Sequence, residues 1–197
     1  EVRFASGYKM AKQDVSEVDC VCGIPDSGIG MAMGYAEGKN VPYHRAITKY
    51  TPTWPRRFMP ANQAQRNKVA KMKQIPVHEF IKDKSLLFVD DSIVRGTTSK
   101  ETVDFLYDNG AKEVHMRSAC PPIMYGCKFL SFSRSGNELE LIARRTVIEL
   151  EGEEGLNHLE EYSDSKTERG KKLREAICEK LQFNSLDFQS LEGIIKA

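Results

Sequence analysis

Two adjacent carboxylates, Asp90 and Asp91, followed by Ser92 and then by Gly96, Thr97, Thr98 and Ser99, are the residues of this chain best placed to do chemistry. They close a continuous apolar run, Ser85-Leu86-Leu87-Phe88-Val89, and open a stretch with helical spacing through Val103, Phe105, Leu106 and Tyr107. An apolar run that ends abruptly in charge is how a buried strand of a parallel sheet reaches the sheet's carboxyl edge. The glycine and the hydroxyls then stand at a helix start, where the leading amides lack intrahelical partners and carry roughly half a positive charge. Anions settle at such a place. No lysine precedes the hydroxyls, as it would in a Walker-type loop. Neighbouring carboxylates accept from vicinal hydroxyls and, being hard oxygen donors, bind Mg²⁺. The combination reads as a site for a metal-bound sugar carrying a phosphate.

A second loop, Pro25-Asp26-Ser27-Gly28, follows the apolar stretch Val18 to Ile24 and opens another helix. Alone it reads as a routine turn with a capping Asp or Ser. A third stretch, Thr48 to Lys73, holds Lys49, Arg56, Arg57, Arg66, Lys68, Lys71 and Lys73, no acidic residue, and Pro52, Pro55 and Pro60. Taken alone, the stretch reads as a basic face for nucleic acid, on which Tyr50, Trp54 and Phe58 would stack bases.

The elements that must position these residues alternate along the chain. Strands are predicted over Val18 to Ile24, Val41 to Ile47, Ser85 to Val89 and Glu113 to Ser118. Helices are predicted over Gly28 to Glu37, ended by Gly38 at the C′ position, over Ala61 to Gln74, and over Thr98 to Asn109, ended by Gly110. Strands separated by such helices form a doubly wound, mainly parallel sheet. From Glu138 to Glu168 ten acidic residues face three basic ones, and Lys166 to Leu181 is amphipathic. That pattern reads as a solvated helical cap.

At 197 residues the chain can bury one full core, and 29 Lys and Arg against 28 Asp and Glu give a net charge of +1. Such a balance calls for neither nucleic acid nor a membrane surface. No apolar run has the roughly twenty residues of a bilayer span, and no signal peptide opens the chain. Cys20, Cys22, Cys120, Cys127 and Cys178 are an odd, scattered set that reads as reduced, mostly buried thiols, with Cys20 and Cys22 on one face of a strand. His44, His78, His115 and His158 lack metal-ligand spacing.

The segment Val89-Asp90-Asp91-Ser92-Ile93-Val94-Arg95-Gly96-Thr97-Thr98-Ser99 resembles the phosphoribosylpyrophosphate (PRPP) motif of the type I phosphoribosyltransferases, in the form typical of the glutamine PRPP amidotransferases. Further matches are Gly23-Ile24-Pro25-Asp26-Ser27 with Gly34-Tyr35-Ala36-Glu37, Lys71-Met72-Lys73, Pro121-Pro122-Ile123, Glu140-Leu141-Ile142-Ala143 and Ser190-Leu191-Glu192-Gly193, so the likeness runs over residues 18–197. It implies an α/β fold, a doubly wound and mainly parallel sheet of the type I phosphoribosyltransferase kind with a helical C-terminal cap. The core would be residues 1–145 and the mostly helical cap residues 146–197.

The resemblance also implies roles. Asp90, Asp91, Ser92, Ile93, Val94, Arg95, Gly96, Thr97, Thr98 and Ser99 would bind PRPP, and Asp26, Ser27 and Gly28 would form the pyrophosphate loop. Ser27, Asp90 and Asp91 would hold Mg²⁺, and Asp90, Asp91, Arg56 and Lys71 would be catalytic. Lys49, Arg56, Arg57, Arg66 and Lys73 would belong to the flexible lid. There the family's Tyr-x-Gly-Arg-Thr-Phe stands as Thr53-Trp54-Pro55-Arg56-Arg57-Phe58, which keeps the arginine at Arg56 and lacks the tyrosine and glycine. The segment Met124-Tyr125-Gly126-Cys127 departs as well.

The activity implied is displacement of pyrophosphate from PRPP by ammonia to give 5-phosphoribosylamine, the first step of purine synthesis. In the family the ammonia comes from an N-terminal glutaminase domain whose nucleophile is a terminal cysteine. This chain begins Glu1-Val2-Arg3-Phe4 and its first cysteine is Cys20, so it is read as the phosphoribosyltransferase half of a longer protein, without the glutaminase domain. Some members carry an iron–sulfur cluster with a C-terminal cysteine pair as ligands; that pair is not found here, and Cys120 and Cys127 alone do not make a four-thiolate site. A cytoplasmic homo-oligomer inhibited by purine nucleotides, with no nucleic-acid or membrane partner, completes the expectation. Two alternatives stay open: a type I phosphoribosyltransferase that takes a nucleobase, and a non-catalytic PRPP-binding regulator, which would lose the lid cations.

Overall fold

The structure, a computed structural model, describes residues 1–49, 74–127 and 138–197. Its frame is a parallel sheet of β1 (Cys20–Gly23), β4 (Ser85–Asp90), β5 (Glu113–Ser118) and β6 (Ser185–Phe188), in the order β1-β4-β5-β6. Although Leu86 to Val89 is unbroken apolar sequence, its side chains alternate. Leu86 and Phe88 enter one core with Cys20, Cys22, Val114 and Met116, while Leu87 and Val89 enter another with Val21. A strand covered on both faces needs this continuous apolar character.

The first core is closed by Val103 and Leu106 of helix α4 (Thr97–Asp108), by Ile142 and Val147 of α5 (Ile142–Glu151) and by Leu173, Ile177 and Leu181 of α7 (Glu168–Leu181). Thr167 caps α7, its hydroxyl accepting from the Gly170 amide at 2.9 Å. The second core is closed by α1 (Val2–Ala11) and α2 (Ile29–Lys39). Residues 146–197 are largely helical, with short α6 (Leu159–Ser163) and α8 (Leu191–Ile195), and they also supply β6, a strand that the sequence reading did not include.

Two other expectations change. The stretch Val41 to Ile47 is no full strand: Tyr43 makes a single parallel bridge to Val21, and the chain then enters a hairpin of β2 (Ile47–Lys49) and β3 (Gln74–Pro76). Gly38 does not end α2, which runs on to Lys39 and turns at Asn40 in the left-handed region (φ 60°). Gly38 instead permits close approach of α1, since a Cβ there would lie 2.7 Å from the Tyr8 carbonyl oxygen. The expected helix Ala61 to Gln74 lies outside the described residues except at Gln74, which is in β3. A short helix, α3 (His78–Ile81), precedes β4. Among the described residues no cysteine is in a disulfide, and Cys20 and Cys22 lie buried side by side, Sγ to Sγ 4.0 Å.

At the amino ends of the strands His115 is buried between Ser85 (Nε2 to Oγ 3.2 Å) and Ser185 (Nδ1 to Oγ 2.8 Å). Burial, then the positive charge of Arg117, lower its pKa, while Glu113 nearby works the other way. A histidine held below its unfolded value of about 6.5 favours the fold above that pH and loses that contribution as pH falls. The melting temperature should therefore drop as pH falls below about 6.5, and drop less in His115→Gln. Equal slopes for the two proteins would show that His115 does not carry the effect.

Candidate active site

After β1 the chain passes through α2 on one face and returns beyond β1 at the Tyr43 bridge; after β4 it passes through α4 on the other face. β1 and β4 thus flank the switch point of the sheet, where the carboxyl ends of the strands open a crevice. Both candidate loops start there, and the register Gly23↔Val89 sets them side by side.

The link between them is direct. Ser27 Oγ donates to Asp90 Oδ1 at 2.8 Å, across a separation of 63 residues. The same oxygen accepts from the Asp91 amide at 2.8 Å. The first loop lies tight against β4: the Ile24 amide donates to the Val89 carbonyl at 3.0 Å, and a Cβ at Gly28 would fall 2.0 Å from that carbonyl oxygen. Gly28 is needed at that contact. The Pro25–Asp26 peptide is cis.

Burial pushes the Asp90 carboxyl up to about 6, with the Asp91 charge adding to the rise and the bonds from Ser27 and the Asp91 amide opposing it. Asp91 is exposed and, among the described residues, accepts from its own neighbour, the Ser92 hydroxyl at 3.1 Å. The carboxylates therefore differ in work: Asp90 ties the loops together, and Asp91 faces outward. Gly96 then turns with φ 81° and caps α4, whose first residues Thr97 and Thr98 are exposed. Their leading amides are the kind a phosphate accepts from.

Of the lid residues, Lys49 is placed. It ends β2 and its Nζ lies 3.4 Å from Asp26 Oδ2. Arg56, Arg57, Arg66, Lys71 and Lys73 lie outside the described residues.

The donors at the switch point are all oxygen, as Mg²⁺ prefers. Ser27 commits its proton to Asp90 and keeps lone pairs for a cation. Among the described residues no group of three or more His, Cys, Asp or Glu could hold a metal. A Mg²⁺ ion here would fit in its usual manner, on one or two carboxylates with water and substrate oxygens completing the shell.

Sequence reading missed how the phosphate loop is supported. Glu140 pairs with Arg95, and the Ile142 amide donates to the Val94 carbonyl at 2.9 Å. The stretch Glu140-Leu141-Ile142-Ala143 did stand out by resemblance, which was the available signal.

No family model matches the chain. A glutamine PRPP amidotransferase from Bacillus subtilis, solved in complex with ADP and GMP, superposes with a TM-score of 0.73 at 34% identity, covering 99% of this chain and 36% of that one. Curated amidophosphoribosyltransferases include that of Methanocaldococcus jannaschii, 32% identical over 197 residues (100% of this chain, 36% of the relative), and a chloroplastic one of Glycine max, 40% over 149 residues (76% and 26%). The chain spans about a third of the length of such relatives, as with the 36% and 32% of two of them. The fold is that of a type I phosphoribosyltransferase unit. More particularly, the chain belongs with the amidophosphoribosyltransferases, of which it corresponds to the phosphoribosyltransferase part.

Proposed function

We propose that the crevice between β1 and β4 binds PRPP with Mg²⁺ and transfers ammonia to its anomeric carbon, releasing pyrophosphate and forming 5-phosphoribosylamine at the start of purine synthesis. The Ser27–Asp90 bond carries this reading, because it joins a loop suited to the diphosphate to a loop suited to the 5′-phosphate. The two anionic ends of PRPP then meet two strand-to-helix turns side by side.

Asp91, with the second oxygen of Asp90, accepts hydrogen bonds from the ribose hydroxyls and favours positive character in the ring as the anomeric carbon–oxygen bond breaks. The amides of Thr97 to Ser99 hold the 5′-phosphate. Ser27, Asp90 and Asp91 are the groups that would hold Mg²⁺, which supplies charge neutralisation of the diphosphate when bound. Ammonia attacks from the face opposite the leaving group, a carbon–nitrogen bond replaces the carbon–oxygen bond with inversion, and the surplus ammonium proton passes to solvent. Lys49, freed from Asp26, and the basic residues between β2 and β3 would meet the departing pyrophosphate.

In the longer protein a glutamine-hydrolysing unit would supply the ammonia. Among the described residues no helix is long and apolar enough to cross a membrane. A cytoplasmic homo-oligomer inhibited by purine nucleotides belongs to the same proposal, and the nucleotides in the Bacillus subtilis complex support its last part.

The test is pyrophosphate release from PRPP with Mg²⁺ and ammonium chloride. Release should rise with pH as free ammonia increases. Release that depends on an added nucleobase would assign a different acceptor, and no PRPP-dependent release with either would remove the activity.

A further inference from the structure

The loop from Asp91 to Gly96 has no regular backbone ladder of its own, so its shape is imposed from outside. Three consecutive residues are held by one segment of the C-terminal layer. Val94 accepts from the Ile142 amide at 2.9 Å. Arg95 pairs through its side chain with Glu140, and its carbonyl accepts from Arg145 Nη2 at 3.4 Å. Gly96 lies so close to α5 that a Cβ there would be 2.5 Å from Ile142 Cδ1 and 3.1 Å from Leu181 Cδ2. Ile142 is the first residue of α5, with Leu141 as N-cap, so its amide is one that a helix start leaves unpaired. Here that amide fixes the phosphate loop.

We infer that the segment from Glu138 to Arg145 braces the phosphate loop, with Glu140 and Ile142 as positioning residues for PRPP. The inference rests on the reading of this loop as the PRPP site. A phosphate is bound by several amides at once, and their hydrogen bonds to an anion are strong only when all point at one place. The brace sets that direction before ligand arrives. It explains why β6, α7 and α5 must pack on the core for a loop in the middle of the sequence to work: α5 can reach Val94 and Gly96 only when Ile142, Val147 and Leu181 share the core with Val103 and Leu106.

The test uses the full chain with PRPP, Mg²⁺ and ammonium chloride, plus direct PRPP binding by calorimetry. Ile142 is also buried, so Ile142→Pro is compared with Ile142→Ala, which loses the side chain but keeps the amide. At a helix position that tolerates proline, Ile142→Pro should raise the KM for PRPP about fivefold above that of Ile142→Ala, as for one lost hydrogen bond. Glu140→Gln should raise it about threefold, in keeping with an exposed ion pair, and Glu140→Asp should recover most of the loss. In each case kcat and the KM for ammonia should stay within about twofold, because the brace acts on ground-state and transition-state binding alike. Wild-type KM for PRPP in both Ile142→Pro and Glu140→Gln would overturn the brace. So would a rise in KM for PRPP in Ile142→Ala as large as in Ile142→Pro, since that pattern marks general damage and not loss of the amide. If wild-type protein itself neither binds PRPP nor releases pyrophosphate, the PRPP reading fails, which is seen before any variant is compared.

Discussion

Asp90→Asn and Asp91→Asn should each lower kcat/KM for PRPP by about a thousandfold or more, equivalent to about 4 kcal/mol of transition-state stabilisation. Both sites keep their shape in this change, because an amide oxygen can still accept from Ser27 Oγ and the Asp91 amide at position 90, and from Ser92 Oγ at position 91. What is lost is negative charge next to the ribose and the cation. The variants separate on stability. Asp91 is exposed, so Asp91→Asn should stay within about 0.5 kcal/mol of wild type. Asp90 is different, because burial holds its carboxyl up at about 6. A carboxylate raised above its unfolded value stabilises the fold fully only below the unfolded pKa, near 3.9, and that contribution is lost as pH rises toward the folded value. At pH 7.5, ligand-free Asp90→Asn should therefore melt higher than wild type, by the equivalent of about 1–2 kcal/mol, while being inactive. Near-normal turnover in both variants would remove the site. An inactive Asp90→Asn that melts lower than wild type would instead mean that the carboxylate is well paired in the fold.

The parts of the fold that could be read from the sequence are those whose local chemistry is unmistakable. The run Ser85 to Val89 could be read almost to the residue, because apolar character and the acidic pair begin and end it sharply; only Asp90 adds to it. Helix α1 gave no such signal, since its buried face is Ser6, Gly7, Met10 and Ala11, mostly too small to register as apolar periodicity. The strand expected at Val41 to Ile47 pairs with β1 only around Tyr43, where the Val21 amide donates to the Pro42 carbonyl and the His44 amide to the Val21 carbonyl, each at 2.9 Å. Where a ladder stops depends on its partner, and propensity does not contain that. The site shows the same division. The loop after β4 was legible as an anion-binding turn, and the loop after β1 only through its resemblance, whereas the Ser27–Asp90 bond and the support from Glu140 and Ile142 exist only once β1 lies beside β4 and α5 lies on the core.

The largest stability effect should come from a pair that the sequence reading passed over. Asp14 and Arg117 form an ion pair in the second core region, with only 9% and 6% of their side chains exposed. Asp14 also accepts from the Tyr35 hydroxyl and from the Ser16 amide, and Lys39 lies 3.8 Å away. Arg117 is satisfied in turn by the Met116 carbonyl at 2.8 Å and Ser185 Oγ at 3.0 Å. The cluster ties the segment before β1 to α2, β5 and β6. Removing one member leaves the other charge buried without its partner, which costs about 3–5 kcal/mol, against a total stability of about 5–15 kcal/mol for a domain. Asp14→Ala and Arg117→Ala should each lose that much in urea unfolding. A double replacement by apolar residues of similar volume, Asp14→Leu with Arg117→Met, should recover part of the loss, because no orphaned charge remains. The pH dependence gives an independent check. Burial alone would raise the Asp14 carboxyl, but the Arg117 bond and charge, with Ser16 and Tyr35, outweigh it and hold the group well below the usual carboxylate range. A carboxyl lowered in the fold stabilises it above the unfolded value of about 3.9 and ceases to do so as pH falls through the folded one. Wild-type protein should therefore lose stability steeply below about pH 4, and Asp14→Asn, weaker at neutral pH, should lose less over the same interval. Single variants within about 1 kcal/mol of wild type, or an unchanged acid slope in Asp14→Asn, would show that the pair does not hold these elements together.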